Sequence, residues 1–417
     1  MTPQPQSLFV CYVPGLDARR IDRDKTPYID SLRHELEAVS IRTLPNTELI
    51  PTLVSGTLPH QHRVWQVSLK PRFRNGARPG IADAVPDILV TTAQCTRHFF
   101  DREYDLAVIP WRRRRRFELH RFKYTRRAVQ GDGMEEFSGY RSIFGLLGER
   151  AQYIFTKDFD SLPKLAESLP TGQRALEFLE MYALDLVQHW HLDNEDVMDD
   201  ALLRTDRFVR DLHARCRRLG VRLMLLVDHG QERVMGTVPL VQTVKRTGIP
   251  ESEYSYFVEL ASARFWFHTE RARRVLSDVL KALPRTELLT WRDMHDYDVC
   301  FEDDAFGEMY IFADAGWIFF PHDFYQPVGN VVLGLMDRHQ RQRVRNPVHR
   351  GNHGYLPHHP SERGWVLADD AGLRASGSEA RLADIAPSIL SLVGVTAPDY
   401  MQGTPLFLSD GNTVLHP

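Results

Sequence analysis

The sequence predicts an α/β fold: a mostly parallel central sheet, helices on both faces, and an inserted cap. Three observations predict it. Val221–Val227 (VRLMLLV) is a continuous apolar run, short enough for a strand buried on both faces. Before it, Leu202, Leu203, Phe208, Val209 and Leu212 recur at helical spacing across Asp199–Leu219, and Gly220 stops the helix. After it comes Asp228-His229-Gly230, in the loop position outside the carboxyl end of a strand where open α/β sheets bind ligands.

The remaining elements follow in order. Ser7–Val13 (SLFVCYV) reads as a buried strand ended by Pro14-Gly15, and Ile29–Val39 as a helix. Leu53-Val54-Ser55-Gly56 reads as the start of a helix or a turn under the sheet, and the Gly-, Pro- and Arg-rich Pro71–Pro86 as a loop. Gln173–His191 carries Ala175, Leu176, Leu179, Tyr182, Ala183, Leu186 and Val187 at helical spacing and is predicted as one helix. Tyr254–Glu259 and Ala261–His268 read as strands, Glu270–Leu283 as a helix, and Trp317–Pro321 and Trp365–Ala368 as short strands. Asp384–Val393 opens a helix with Pro387 in its first turn.

Composition narrows the class. The chain has 417 residues, 43% hydrophobic and 26% charged, as expected for a soluble globular protein with a sizeable core. A net charge of -3 selects no partner, so anion binding has to come from local patches. One such patch is plain: Arg112–Arg127 holds nine basic residues against one acid, Glu118. We therefore divide the chain into residues 1–100 as the first part of the core, 101–170 as a basic insertion, and 171–417 as the rest of the core. Cys11, Cys95, Cys216 and Cys300 form no C-x-x-C pair and read as free thiols of a reducing compartment. Met1–Gln6 is polar, and no apolar run approaches the ~18 residues of a membrane span, so a cytoplasmic location without an anchor is expected.

Several residues suit metal chemistry. Asp185 and His189 are at i and i+4 and share one helix face, where two ligands reach one ion from the same side. Asp228 and His229 are adjacent at a strand end, where both reach one ion if the chain turns. His353 sits between Asn352 and Gly354 in what reads as a tight turn. Carboxylate and imidazole together suit Zn²⁺ or another divalent transition metal. His191, Asp193, His358 and His359 lie close by in sequence. His295, Asp296 and Asp298, with Glu302-Asp303-Asp304, read as a solvated acidic loop. The run Arg112, Arg113, Arg114, Arg115 and Arg116 has three readings: a solvated face, a gate gripping a phosphate or sulfate by bidentate contacts, or a nucleic-acid surface with Phe117, Phe122 and Tyr124 as stacking partners.

The order of these motifs, with the text around them, resembles the type I phosphodiesterase/nucleotide pyrophosphatase family of the alkaline-phosphatase superfamily. Thr26–Leu32 (TPYIDSL) is similar to the family's TPNLDRL segment, and Ser55–His62 (SGTLPHQH) to its TGxxPxxHG segment. Tyr182–His189, LMLLVDHG, Gly351–Tyr355 (GNHGY), Ala383–Leu390 (ADIAPSIL) and Met401–Leu406 (MQGTPL) match further segments in the family order. Only residues 70–170 and 285–345, roughly, fall outside the likeness. The resemblance implies an alkaline-phosphatase-like core and a hydrolase of phosphate esters, and it leaves open which ester: phosphodiesters or nucleotide-like substrates, monoesters or sulfate esters. It implies one or two divalent ions. Asp185, His189 and His353 match one site; Asp228 and His229 match the other.

The chain departs from the family at two places. Where the family's first strand ends in a metal-binding Asp-Gly, this one ends in Pro14-Gly15. Asp17 replaces that ligand if the turn folds back, and is otherwise a surface aspartate; Glu48 is a second replacement. The family's nucleophile stands ten residues before the glycine of the Thr-Gly motif, which here is Asn46; a shift of one residue makes it Thr47, with Glu48 as ligand or base. Otherwise Asn46 binds an oxyanion and a metal-bound hydroxide attacks. His62 reads as structural. A small anionic substrate is the expected partner. A one-ion variant, and a pseudoenzyme binding an anion or partner through the arginine run, are the competing functions.

Overall fold

The computed structural model describes residues 7–45, 48–65, 68–72, 85–100, 109–110, 113, 116–119, 137–336, 341–369, 372–373 and 379–408. Asn46, Thr47, Arg112, Arg114 and Arg115 lie outside them, as does most of the predicted loop at 71–86.

The core sheet is built from β1 (Leu8–Tyr12), β2 (Val39–Arg42), β3 (Ala151–Thr156), β4 (Leu176–Met181), β5 (Arg222–Val227), β10 (Arg363–Ala368) and β11 (Ala380–Arg381); the intervening Tyr254–Val258, Ser262–Phe267, Thr286–Thr290 and Met309–Ala313, β6 to β9, form a separate sheet. Across the core sheet the order is β11-β2-β10-β5-β1-β4-β3. β1 pairs in parallel with β4 and β5, β3 pairs in parallel with β4, and β10 runs antiparallel to both β5 and β2. The predicted mostly parallel sheet is therefore present.

The period of two in β1 separates the core into two halves. Leu8 and Val10 face Leu53, Ile385 and Ile389, while Phe9 and Cys11 face Ile29, Leu32, Leu202, Val209 and Leu212. Helices thus cover both faces. One face carries α1 (Pro27–Glu35), the other α2 (Ile50–Ser55). α3 (Ala183–His191) follows β4, and α4 (Glu195–Leu219) crosses between β4 and β5. α4 begins earlier than its apolar periodicity suggested, because Asn194 caps it by accepting from the Val197 amide, and Gly220 ends it in a left-handed turn.

Two expectations are corrected here. Gln173–His191 is not one helix: Leu176–Met181 is β4, buried at every position, and only Ala183–His191 is helical. The apolar residues recur at helical spacing, and the two glutamates, one on each face, disguised a central strand. They are tolerated because they are satisfied: Glu177 accepts from Thr171 and Gly172, and Glu180 from the Tyr153 hydroxyl. The second correction concerns residues 101–170: Ala151–Thr156 is the edge strand of the core sheet, not part of an insertion.

Between β5 and β10 in sequence lies the smaller antiparallel sheet, β6 (Tyr254–Val258), β7 (Ser262–Phe267), β8 (Thr286–Thr290) and β9 (Met309–Ala313), in the order β6-β7-β9-β8. α5 (Glu270–Lys281) packs on it through Ala272, Leu276 and Leu280. α6 (Ile385–Leu392) closes the core near the end of the chain. Among the described residues no helix is long and apolar enough to cross a membrane. Cys11, Cys216 and Cys300 are free thiols.

Candidate metal centre

The centre lies at the carboxyl ends of β1, β4 and β5, as the topology of an open α/β sheet dictates. β4 leads directly into α3, whose inward face carries Asp185 and, one turn on, His189. β5 leads into Asp228-His229. His353 arrives from a third direction, on the loop after Gly351-Asn352, which pairs antiparallel with Glu232-Arg233 just beyond His229. A glycine is required at 351: a Cβ there would stand 2.6 Å from the Gln188 carbonyl and 2.6 Å from Gln231 Oε1. The close approach of this loop to α3 brings His353 to Asp185.

Asp185, His189 and His353 offer ligand atoms that all lie within 4.8 Å of one another. Asp185 Oδ2 is 3.3 Å from His189 Nε2, and Asp185 Oδ1 is 3.9 Å from His353 Nε2. Each group is oriented from behind. His189 Nδ1 is 3.0 Å from the Gly351 carbonyl, which assigns the proton to Nδ1 and leaves Nε2 as the ligand atom. Gln231 donates to Asp185 Oδ1 at 2.6 Å and to its carbonyl at 3.0 Å. Asp185 Oδ2 is buried without a hydrogen-bond partner. An orphaned buried carboxylate oxygen beside two imidazoles fits a cation, which supplies the charge the burial removes.

Beside this triad, His229 stacks on His353 with ring centroids 3.8 Å apart and planes 10° apart. His229 Nδ1 donates to the Gly230 carbonyl at 2.8 Å, and its Nε2 is 3.3 Å from Asp228 Oδ2. The Tyr12 hydroxyl donates to the same Asp228 oxygen at 2.5 Å. Burial favours the neutral form of Asp185, but His189, then His353 and His229, outweigh it and hold this carboxyl well below its ordinary range. Burial pushes His353 well down, with His229 and His189 adding to the effect, so its imidazole is neutral and ready to ligate. Burial raises the Asp228 carboxyl, and His229 and the Tyr12 hydroxyl offset this only in part.

No family model matches the chain, and no curated protein matches it in sequence. Solved structures do match. Murine ectonucleotide pyrophosphatase/phosphodiesterase 5 superposes with a TM-score of 0.60 at 14% identity, over 94% of this chain and 96% of that one. The human protein gives 0.57 at 14%, over 96% and 97%. An inactive murine form in complex with AMP gives 0.57 at 14%, over 95% and 96%. This chain shares the fold of the ectonucleotide pyrophosphatase/phosphodiesterases. The likeness of fold spans most of the length of both chains.

The other candidate residues are not part of this three-residue cluster. The turn after β1 does fold back, but it delivers Asp17 to Arg19: Asp17 Oδ1 caps the turn through the Arg19 amide at 2.8 Å, and Oδ2 receives the guanidinium at 2.6 Å. Asp17 packs against Gly230 and lines a cavity of about 350 Å³ with Arg19, Lys25, Gln231, Glu232 and Arg233. That cavity contains none of Asp185, His189 and His353. Glu48 is half-buried before α2 and is not one of the described groups that converge on the triad. Asp193 pairs with Arg350 at 3.5 Å, His359 accepts from the Ser361 amide, and His358 is exposed. His62 is buried, accepts from the Val64 amide and bonds Thr52 at 2.9 Å.

Of the arginine run, Arg113 and Arg116 are described, and both form ion pairs within the protein. Arg113 grips Asp323 through two bonds of 2.5 and 2.8 Å and lies over the Tyr256 ring, while Arg116 pairs with Glu251 at 3.0 Å. The acidic loop is only partly solvated, since Asp298 pairs with Arg42 and Asp303 with Arg63. Tyr12, Gln231 and Glu362, all of which touch the centre's ligands or their loops, were not singled out from sequence. Gln231 follows the Asp-His-Gly motif directly and was the most accessible of the three; Tyr12 and Glu362 carry no local signal.

Proposed function

We propose that this protein is a metal-dependent hydrolase of phosphate esters, with nucleotide-like phosphodiesters as the leading substrate class. The observation that carries the reading is the convergence of Asp185, His189 and His353 around an orphaned buried carboxylate oxygen, with Asp228 and His229 stacked beside it. Two hard oxygens and imidazole nitrogens suit Zn²⁺ or another divalent transition ion. Such an ion, when bound, supplies Lewis-acid stabilisation of a phosphoryl oxygen and of the attacking oxygen. AMP, bound by one protein of this fold, is a phosphate ester of the class proposed.

The chain's own residues then have definite tasks. Asp185 contributes the anionic charge and Gln231 fixes its carboxylate plane. His189 and His353 present their Nε2 atoms beside Asp185. Asp228 and His229 form the adjoining wall. Thr47 is our candidate nucleophile, with Asn46 beside it as an oxyanion donor. Arg113 and Arg116 are engaged by acids, so neither is assigned to the substrate.

Turnover of a bis-nitrophenyl phosphodiester and a nitrophenyl phosphomonoester, measured with and without added Zn²⁺, tests the reading. His353→Ala and Asp228→Ala are each expected to lower metal-dependent turnover at least 100-fold. Wild-type rates in both variants would remove the assignment. Thr47→Ala separates the mechanisms: loss of turnover supports an alkoxide nucleophile, and retention supports attack by metal-activated water.

A further inference from the structure

Asp228 and His229 lie side by side next to the triad, and Asp228 makes a further contact through the same oxygen. Asp228 Oδ2 and His229 Nε2 are 3.3 Å apart. Two ligands at ~2.0–2.1 Å from one tetrahedral ion stand about 3.3 Å apart, so this spacing suits shared coordination. The next contact at the same oxygen is of another kind. Tyr12 Oη lies 2.5 Å from Asp228 Oδ2, the length of a hydrogen bond from a hydroxyl to a carboxylate and too short for two ligands of one tetrahedral ion.

Tyr12 is held there by the fold. It is the last residue of β1, 2% exposed, paired in register with Leu226 on one side and Glu180 on the other. Its ring packs on Phe178 at 5.9 Å. Beyond it, Val13-Pro14-Gly15 brings no carboxylate, and Asp17 is bound by Arg19. Among the described residues, the three-ligand cluster is Asp185, His189 and His353.

We propose that Tyr12 occupies, through its hydrogen bond to Asp228, the place of a third protein ligand, so that the chain holds one ion tightly at Asp185, His189 and His353 and a second only weakly at Asp228 and His229. The proposal rests on the metal-dependent reading above. Tyr12 is a positioning residue: an ion at Asp228 competes with the phenol proton for the same oxygen.

The test is Zn²⁺ titration of the metal-free full chain by calorimetry, with metal content after gel filtration as a second readout. Wild type is expected to retain one ion and to bind a second at least 100-fold more weakly. Tyr12→Phe releases Asp228 and is expected to tighten the second ion about tenfold or more, the worth of one hydrogen bond to a charged group, with the first unchanged. Two equally tight ions in wild type, or a folded Tyr12→Phe with unchanged second binding, overturn the proposal alone. Failure of wild type to bind any ion overturns the metal-dependent reading and the proposal with it. If Tyr12→Phe does not fold, Asp228→Asn decides: loss of the weak ion with retention of the tight one supports the assignment, and loss of the tight one overturns it.

Discussion

Arg113 shows how the meaning of a residue depends on a partner that sequence does not reveal. Its guanidinium stacks 4.3 Å from the Tyr256 ring and grips Asp323, which also accepts from the Val258 amide at 2.7 Å. Both side chains of the pair are largely buried, at 15% and 12% exposure. Removing one partner of such a pair strands the other charge, at a cost of about 3 kcal/mol or more. Arg113→Ala is therefore expected to lower the urea midpoint substantially, whereas Arg116→Ala, whose partner Glu251 is half exposed, is expected to change stability by less than about 1 kcal/mol. Equal effects of the two substitutions would contradict this division. In sequence the two arginines are indistinguishable members of one run. The candidate ligands Asp185, His189, Asp228, His229 and His353 were legible because each sits in a short local motif. Tyr12 was not, because its role depends on Asp228, 216 residues away.

At the scale of elements, the turn Pro360–Glu362 ties two ligand loops together. The Ser361 carbonyl accepts from the Gly230 amide at 2.7 Å, and Glu362 Oε2 accepts from the Gly354 amide at 3.0 Å. Burial pushes the Glu362 carboxyl up to about 7, against the lowering effects of His229 and of the Gly354 and Tyr355 amides. A carboxyl raised in the folded state binds its proton more tightly there than in the unfolded chain. Its contribution to stability is therefore complete below the unfolded value of 4.5 and is lost as pH rises through about 7. The loss amounts to roughly 3 kcal/mol at ~1.4 kcal/mol per unit. In metal-free protein, wild type is expected to lose stability relative to Glu362→Gln between pH 5 and pH 8 in urea unfolding. Parallel pH profiles for the two would show that Glu362 is not the group responsible. α4, with its single helical period, and β5, a short continuous apolar run, were legible in sequence. β4 was not, since apolar residues at 176, 179 and 183 have helical spacing and Glu177 and Glu180 interrupt the apolar run of a buried strand; only the pairing with β1 and β3 reveals it.

For the molecule as a whole, the triad is a clasp between distant parts of the chain. Asp185 and His189 follow β4, His353 precedes β10, and β5 with the entire smaller sheet lies between them in sequence. The unfolded chain does not hold these three groups within 4.8 Å of one another, so an ion that needs all three binds the native state preferentially. Binding to the native state alone stabilises it by RT ln(1 + [L]/Kd), about 2.7 kcal/mol at a hundredfold excess over Kd. Thermal unfolding of wild type is therefore expected to shift upward with added Zn²⁺ and to return on chelation. His353→Ala, which leaves two ligands of the three, is expected to lose most of that shift while keeping the fold. Arg113→Ala is expected to start from a lower midpoint and gain the same free energy from the metal, because its ion pair stabilises the smaller sheet and touches none of the ligands. A metal shift equal in wild type and His353→Ala would place the stabilising ion somewhere other than this clasp.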